Sequence, residues 1–186
     1  MASIQFSDIA VIYDKYLDIL YSYALHLGFD EQTAMDAIHD VFYKLCINHS
    51  SLKEISNLKF YLFRSLRNRL IDIQRTNKEF TGIFQNQENT ENNFRFQLHA
   101  TVEDLLIQQE DAEEIRKKVE AVLNQLTARQ REIIYLRYIQ EYSYEEIAEL
   151  LKISVAACRN LVSKSFHKLK TTSLQPVVFL LIISRF

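Results

Sequence analysis

The chain is predicted to be all-α, with two small helical domains joined by a flexible linker. Two observations carry that prediction. The first is punctuation: 2 Gly and 1 Pro in 186 residues are too few for the turns of a sheet-rich architecture. The second is periodicity: apolar residues recur three and four positions apart over most of the chain, the spacing of a helix with one buried face. That period fails between Glu79 and Ala100, where 85–93 is an unbroken polar run. The division follows: residues 1–78, a linker at 79–100, residues 101–172, and an apolar tail at 173–186.

A first helix, 7–27, places Ile9, Ile12, Tyr13, Tyr16, Leu20, Tyr23, Ala24 and Leu27 on one side. Gly28 suits its end, and Asp30 suits the cap of the next helix. That second helix, 31–47, carries Ala34, Ala37, Ile38, Val41 and Leu45 as its apolar stripe. Up to Leu58 the chain holds eight acidic and three basic residues. A polar loop at 48–57 leads into a third helix at 58–78, with Leu62, Leu66, Leu70 and Ile73 as its core stripe. Here the charge reverses. Lys59, Arg64, Arg67, Arg69, Arg75 and Lys78 stand against a single Asp72. Phe60, Tyr61 and Phe63 mark its start. Aromatics beside arginines stack on unpaired bases and hold phosphate. The same pattern also fits a buried aromatic cluster under a solvated basic face.

Beyond the linker, 101–124 resumes helix. Thr127 with Gln130 forms a capping box that opens a helix running through Tyr138, and Ser143 with Glu146 forms another. Ile147, Leu150 and Leu151 are the stripe of the short helix that follows. Lys152, Ile153 and Ser154 form a break, with Ser154 as the N-cap of a helix to Lys170. Its buried face is predicted at Val155, Cys158, Leu161, Val162, Phe166 and Leu169. The opposite face offers Ala156, Ala157, Arg159, Asn160, Ser163, Lys164 and His167.

Charge separates these last two helices. Glu141, Glu145, Glu146 and Glu149 crowd the first, whereas 152–170 holds five Lys/Arg and no acid. A short helix across the backbone and a second in the major groove produce this pattern, that of a helix-turn-helix DNA reader. Small residues at the start of the second helix let the backbone approach. Arg159 and Asn160 then meet base edges, while Lys164 and Lys168 meet phosphate. The plain alternative is a solvated basic helix in a bundle.

Composition bounds the rest. A formal net charge of −2 argues against indiscriminate nucleic-acid binding, so any DNA reading uses local basic faces. Cys46 and Cys158 are far apart, lack a CxxC partner and fall on apolar stripes, which reads as reduced core thiols in a cytoplasmic protein. No signal-peptide pattern and no apolar run of about 18 residues is present. The seven apolar residues 177–183 are too short to cross a bilayer and suit packing on this chain or a partner. No Gly-rich phosphate loop, no HExxH and no paired nucleophile and base occur, and His26, His39, His49, His99 and His167 are scattered. No catalytic residue, metal, cofactor or small-molecule substrate is expected.

The order of these features resembles the extracytoplasmic-function group of bacterial RNA polymerase sigma factors, over about 9–78 and 111–170. DAIHDVFYKL (36–45) is similar to the segment that binds the clamp coiled coil of the polymerase. YLFRSLRNRLIDIQR (61–75) is similar to the segment that opens and reads the minus-ten element, with Arg64, Asn68, Asp72 and Arg75 on the family's recurrent residues. ARQREIIYLRY…YSYEEIAELLKIS is similar to the region that reads minus-thirty-five. The chain departs from the family pattern at Cys46, at His39-Asp40, at Tyr61 where Trp is usual, at Lys152 where Gly is common, and at Leu161 where Arg is frequent.

The resemblance implies a dissociable promoter-specificity subunit whose partners are core RNA polymerase, promoter DNA and an anti-sigma factor. Asp36, His39, Asp40, Phe42 and Tyr43 would dock on polymerase. Tyr61, Arg64, Arg67, Asn68 and Arg75 would hold the minus-ten strand, a flipped base entering a pocket formed with the loop at 48–57. Ala156, Ala157, Arg159, Asn160, Ser163, Lys164, His167 and Lys168 would face the minus-thirty-five duplex. Two rivals stand beside it: a stand-alone helix-turn-helix regulator, which leaves the second basic helix unexplained, and a helical adaptor that does not bind DNA.

Overall fold

A computed structural model describes the backbone at 6–47, 55–81, 94, 96–97, 121 and 123–171, with side chains at 9–47, 55–77, 94, 96–97, 121 and 123–169. The chain divides into two compact units, Met1–Asn92 and Asn93–Phe186. The regular secondary structure among the described residues is all helical, with no strand.

The first unit packs three helices against one another: α1 (Phe6–His26), α2 (Glu31–Ile47) and α3 (Leu58–Thr81). Local chemistry sets their ends. Gly28 takes φ 91° after α1, a left-handed position that costs a residue without Cβ nothing. Its N–H donates to the Leu25 carbonyl (2.9 Å) and that of Phe29 to the Ala24 carbonyl (3.3 Å), a Schellman closure. Asp30 then caps α2, its carboxylate accepting from the Thr33 N–H (3.0 Å) and the Thr33 hydroxyl (2.7 Å). Asn57 caps α3, accepting from the Phe60 N–H at 3.0 Å. The core joins Leu20, Tyr23, Ala24 and Leu27 of α1 to Ala34, Ala37, Ile38, Val41 and Leu45 of α2. Tyr23 meets Phe63 of α3 with ring centroids 5.0 Å apart.

The buried face of α3 is wider than its predicted stripe. Leu62, Leu66 and Leu70 are buried as expected, but so are Phe63, Arg67 and Ile71, and Ile73 is only half-buried. The i, i+4 seam Phe63–Arg67–Ile71 runs beside the leucines, and α1 and α2 together cover both rows.

The second unit contains α4 (Ala128–Ile134), which continues as a π-helix (Tyr135–Ile139), then α5 (Tyr144–Leu151) and α6 (Val155–Thr171). Both predicted capping boxes are formed, Thr127 with Gln130 and Ser143 with Glu146, each with reciprocal bonds. Ser154 accepts from the Ala157 N–H at 3.1 Å and caps α6. The turn between α5 and α6 pivots on Lys152, held left-handed at φ 52°. Phe94 and Phe96, within the stretch expected as linker, are buried. Phe96 packs on Tyr135 (5.4 Å between centroids), and its carbonyl accepts from Arg131 Nε at 2.8 Å. Of the helix expected at 101–124, Ala121 and Leu123 are helical and Asn124 lies in a turn; 101–120 and 122, like 48–54 of the predicted loop, 82–93, 95 and 98–100 of the linker and the 177–183 tail, lie outside the described residues.

Candidate nucleic-acid interface

Helix α3 sorts its cations by face. Arg64, Asn68, Asp72 and Arg75 are exposed, and Tyr61 is half-exposed. Their spacing of three, four, four and three residues aligns them on one side of the helix. Arg69 is turned toward α2, where its Nε donates to Asp40 Oδ2 at 2.6 Å, with both side chains about 40% exposed. At that exposure water screens the pair, and it contributes roughly 0–1 kcal/mol. Arg67 lies elsewhere. At 1% exposure it is the largest fully buried side chain among the described residues, so it packs inside the first unit and does not belong to the exposed row. Composition grouped it with the other cations, although its i, i+4 spacing with Phe63 and Ile71 was visible in the sequence.

Helix α2 presents a second row. Asp36, His39 and Tyr43 are exposed and Asp40 is half-exposed. His39 Nε2 lies 3.1 Å from Tyr13 Oη, and the two rings stack at 15°. Phe42, expected on this surface, is 5% exposed and meets Tyr13 edge-on at 4.9 Å. Ile47 is exposed instead: at 59% exposure, beside Tyr43 at 67%, it extends the Asp36–Asp40–Tyr43 spacing by one turn, and only its place at the helix end signals this in the sequence. Asp18, Glu31 and Asp36 line a shallow groove between α1 and α2, together with Leu17 and Met35.

Helix α6 separates its faces cleanly. Cys158, Val162, Ser165 and Leu169 are buried. Ala156, Arg159, Asn160, Ser163, Lys164, His167 and Lys168 are exposed, and Ala157 is half-exposed. All eight predicted duplex-facing residues therefore lie away from the unit's core. Ser165 is buried where a hydroxyl is costly, and it answers by donating to the Leu161 carbonyl at 2.7 Å. Burial pushes the Cys158 thiol up from its ordinary value, which keeps it protonated and unreactive at neutral pH. Phe166 is half-buried and meets Tyr138 edge-on at 5.3 Å.

The other arginines among the described residues of this unit bond internally. Arg129 donates to the Leu151 carbonyl (2.7 Å) at the end of α5 and to Glu132 (3.3 Å). Arg131 holds the Phe96 and Leu123 carbonyls and Asn124, and burial lowers its pKa. Arg137 Nη1 donates to the Tyr142 carbonyl at 2.8 Å. Among the described residues of this unit, exposed cations thus concentrate on α6. Carboxylates collect instead on the first turn of α5, at Glu145 and Glu146, where the helix N-terminus favours them. The resulting surface pairs an anionic short helix with a cationic long one across a tight turn, the charge layout of a groove-inserting helix. Among the described residues no His, Cys, Asp and Glu group converges as metal ligands, and no helix is long and apolar enough to cross a membrane.

Comparison with known proteins divides the chain at the same place. Residues 12–80 match the family model of sigma-70 region 2, and residues 116–169 match that of sigma-70 region 4. Among curated proteins, the ECF RNA polymerase sigma factor SigM of Bacillus subtilis strain 168 is 24% identical over 161 residues, 86% of this chain and 91% of the relative. SigX of the same organism, also an ECF RNA polymerase sigma factor, is 28% identical over 148 residues, 77% of this chain and 72% of the relative. Two solved structures share the fold. The sigma factor RpoE, in complex with the anti-sigma factor NepR from Bartonella quintana, has a TM-score of 0.59 at 24% identity, covering 89% of this chain and 96% of that one. CnrH, in complex with the cytosolic domain of CnrY, has a TM-score of 0.52 at 19% identity, covering 90% and 88%.

Proposed function

We propose a mechanism from the premise that the chain belongs to the sigma-70 family, in its extracytoplasmic-function group: it directs core RNA polymerase to promoters and starts transcription there. The first unit reads the minus-ten element and the second reads the minus-thirty-five element. Nucleotidyl transfer belongs to the polymerase, and this chain supplies recognition in the cytoplasm, where polymerase and promoter meet.

The observation that carries the assignment is that each matched region exposes one polar, cation-bearing helix row opposite its core. On α3 that row is Tyr61, Arg64, Asn68 and Arg75. Asn68 is placed to contact a base of the melted strand, Arg64 and Arg75 to hold phosphate, and Tyr61 to stack. Unstacking a base costs a few kcal/mol, which contacts to the captured base must offset. On α6, Arg159 and Asn160 face base edges, Ala156, Ala157 and Ser163 permit close approach, and Lys164, His167 and Lys168 contact backbone. The α2 row of Asp36, His39, Asp40, Tyr43 and Ile47 docks on the polymerase clamp, with Tyr43 and Ile47 as its apolar centre. RpoE is solved with the anti-sigma factor NepR; an anti-sigma factor that masks these surfaces is the corresponding partner here.

The net charge of −2 fits a two-point reader. Each unit binds DNA weakly by itself, and polymerase raises the effective concentration of one once the other is engaged. Gel shifts and start-site mapping with and without core polymerase test this. Promoter-specific binding and transcription only with the core enzyme are expected; tight specific binding by the free chain would favour a stand-alone regulator, and no salt-dependent DNA binding in either case would favour an adaptor.

A further inference from the structure

We propose that Tyr144 is a specificity-determining positioning residue that aims Arg159 at the upstream base pairs, an inference that rests on α6 being the upstream recognition helix. The Arg159 guanidinium carbon lies 5.5 Å from the centroid of the Tyr144 ring, within the range of a cation–π contact. The same ring receives Arg137 at 4.8 Å. Two guanidinium groups thus share one aromatic; one is fixed by a backbone hydrogen bond, the other held by an exposed ion pair.

That fixed one is Arg137. Its Nη1 donates to the Tyr142 carbonyl at 2.8 Å. It stands within the π-helical turn, which closes when the Gln140 N–H reaches the Tyr135 carbonyl at 3.0 Å. The Gln140 side chain is buried and donates to Tyr135 Oη at 2.9 Å, locking the turn. Tyr144 is itself the first residue of α5, and the Ser143–Glu146 capping box sets where that helix begins. A series of fixed parts therefore runs from the π turn through Arg137 to the Tyr144 ring, and it ends on Arg159.

The need for such a platform follows from exposure. The Arg159 side chain is 64% exposed, and its ion pair to Glu145 Oε1 at 3.8 Å joins two groups equally open to water. Such a pair is weak and screened. An arginine so exposed samples many rotamers, whereas bidentate contact with a guanine demands one planar orientation. Resting on the ring narrows the sampling before DNA arrives, and ordering done in advance is not charged against binding. Glu145 leaves the guanidinium free to exchange a weak partner for a base edge.

The test uses the full chain with core polymerase on promoters randomised in the upstream element, comparing wild type with Tyr144→Leu, Tyr144→Phe and Arg159→Ala. Arg159→Ala should flatten base preference at one or two positions. Tyr144→Leu should reduce preference at those same positions by about two- to fivefold, the scale of an exposed cation–π contact, and leave the others as they were. Tyr144→Phe, which keeps the ring, should retain the preference. In the free chain, the Arg159 Nε–H resonance should carry a ring-current shift in wild type and Tyr144→Phe that vanishes in Tyr144→Leu. A Tyr144→Leu profile equal to wild type, or an even loss at all positions, would overturn the assignment. An even loss in Tyr144→Phe would do the same, by making the hydroxyl a phosphate contact. If Arg159→Ala itself changes no position, its role as base reader fails and this inference falls with it; flattening by Arg159→Ala alone removes only the positioning role.

Discussion

Arg64 and Arg67 stand three residues apart on α3, and their replacement by alanine should have opposite consequences. Arg64 is exposed, so its loss should shift the melting temperature far less than that of Arg67 and remove one phosphate contact. On a single strand that lowers the slope of log K against log salt by about 0.7. Arg67 is 1% exposed. Truncation there deletes two buried methylenes, at ~0.8 kcal/mol each. It also withdraws a guanidinium from the groups packed around it, at ~1–3 kcal/mol, partly offset by relief of a buried charge. The net expectation is a loss of roughly 2–4 kcal/mol, a large fraction of a small unit's stability, with the melting temperature falling on the order of 10–20 °C. Arg67→Met, which keeps most of the volume, should recover most of it. Thermal denaturation followed by circular dichroism reads the first quantity. Promoter binding with core polymerase across a salt series reads the second. An Arg67→Ala protein that melts like wild type and loses the same salt slope as Arg64→Ala would refute the placement of this side chain in the core.

Three further outcomes are expected. Lys152→Gly should be neutral or stabilising by up to about 1 kcal/mol, because a left-handed Cβ costs ~1–2 kcal/mol against glycine's extra unfolded entropy; a clear destabilisation in a denaturant melt would contradict the φ of 52°. Arg159→Ala should alter upstream base preference by ~1–3 kcal/mol, while Lys168→Ala should weaken all sequences alike, and a competition assay over single-base variants separates the two. The Asp30 carboxyl is held below its ordinary value, first by the backbone N–H of Thr33 and then by the Thr33 hydroxyl. Its contribution to the start of α2 is therefore present above the unfolded value near ~3.9 and is lost as pH falls through the lower folded value. The gap in melting temperature between wild type and Asp30→Asn should close on acidification, and a constant gap would remove the carboxylate from the cap.

What was legible in the sequence was chiefly what is local. Thr127 with Gln130, Ser143 with Glu146, Ser154, Gly28 and Asp30 each act within four residues, so their type and spacing sufficed. The exposed row of α6 was legible too, because Cys158, Val162 and Leu169 fix the opposite face. Burial is not legible where a distant contact decides it. Arg67 was grouped with its neighbours by charge, but the packing of α1 and α2 around α3 buries it. Phe42 adjoins the exposed α2 row in sequence, but Tyr13 of α1 packs against it and it is buried. Phe94 and Phe96 are isolated aromatics in a polar stretch, with no period to reveal their burial, and Arg131 and Tyr135 that receive Phe96 lie more than thirty positions on. Arg129, Arg131 and Arg137 carry the same formal charge as the α6 cations, and only their carbonyl partners distinguish them.

The π turn at Tyr135–Ile139 also governs how this chain can be aligned and edited. Closing a turn with a bond from residue 140 back to residue 135 accommodates one more residue than an α-helical turn spans, without unravelling the helix. A helical period counted forward from Thr127 therefore falls out of step by one residue, roughly 100° of rotation, on reaching Gln140. Relatives that run straight α-helix through this stretch would carry one residue fewer, and the gap belongs inside the helix and not in the loop that follows. Deleting a single residue within 135–139 should preserve helix content yet turn Gln140 away from Tyr135, an indel that acts on register with no change in composition.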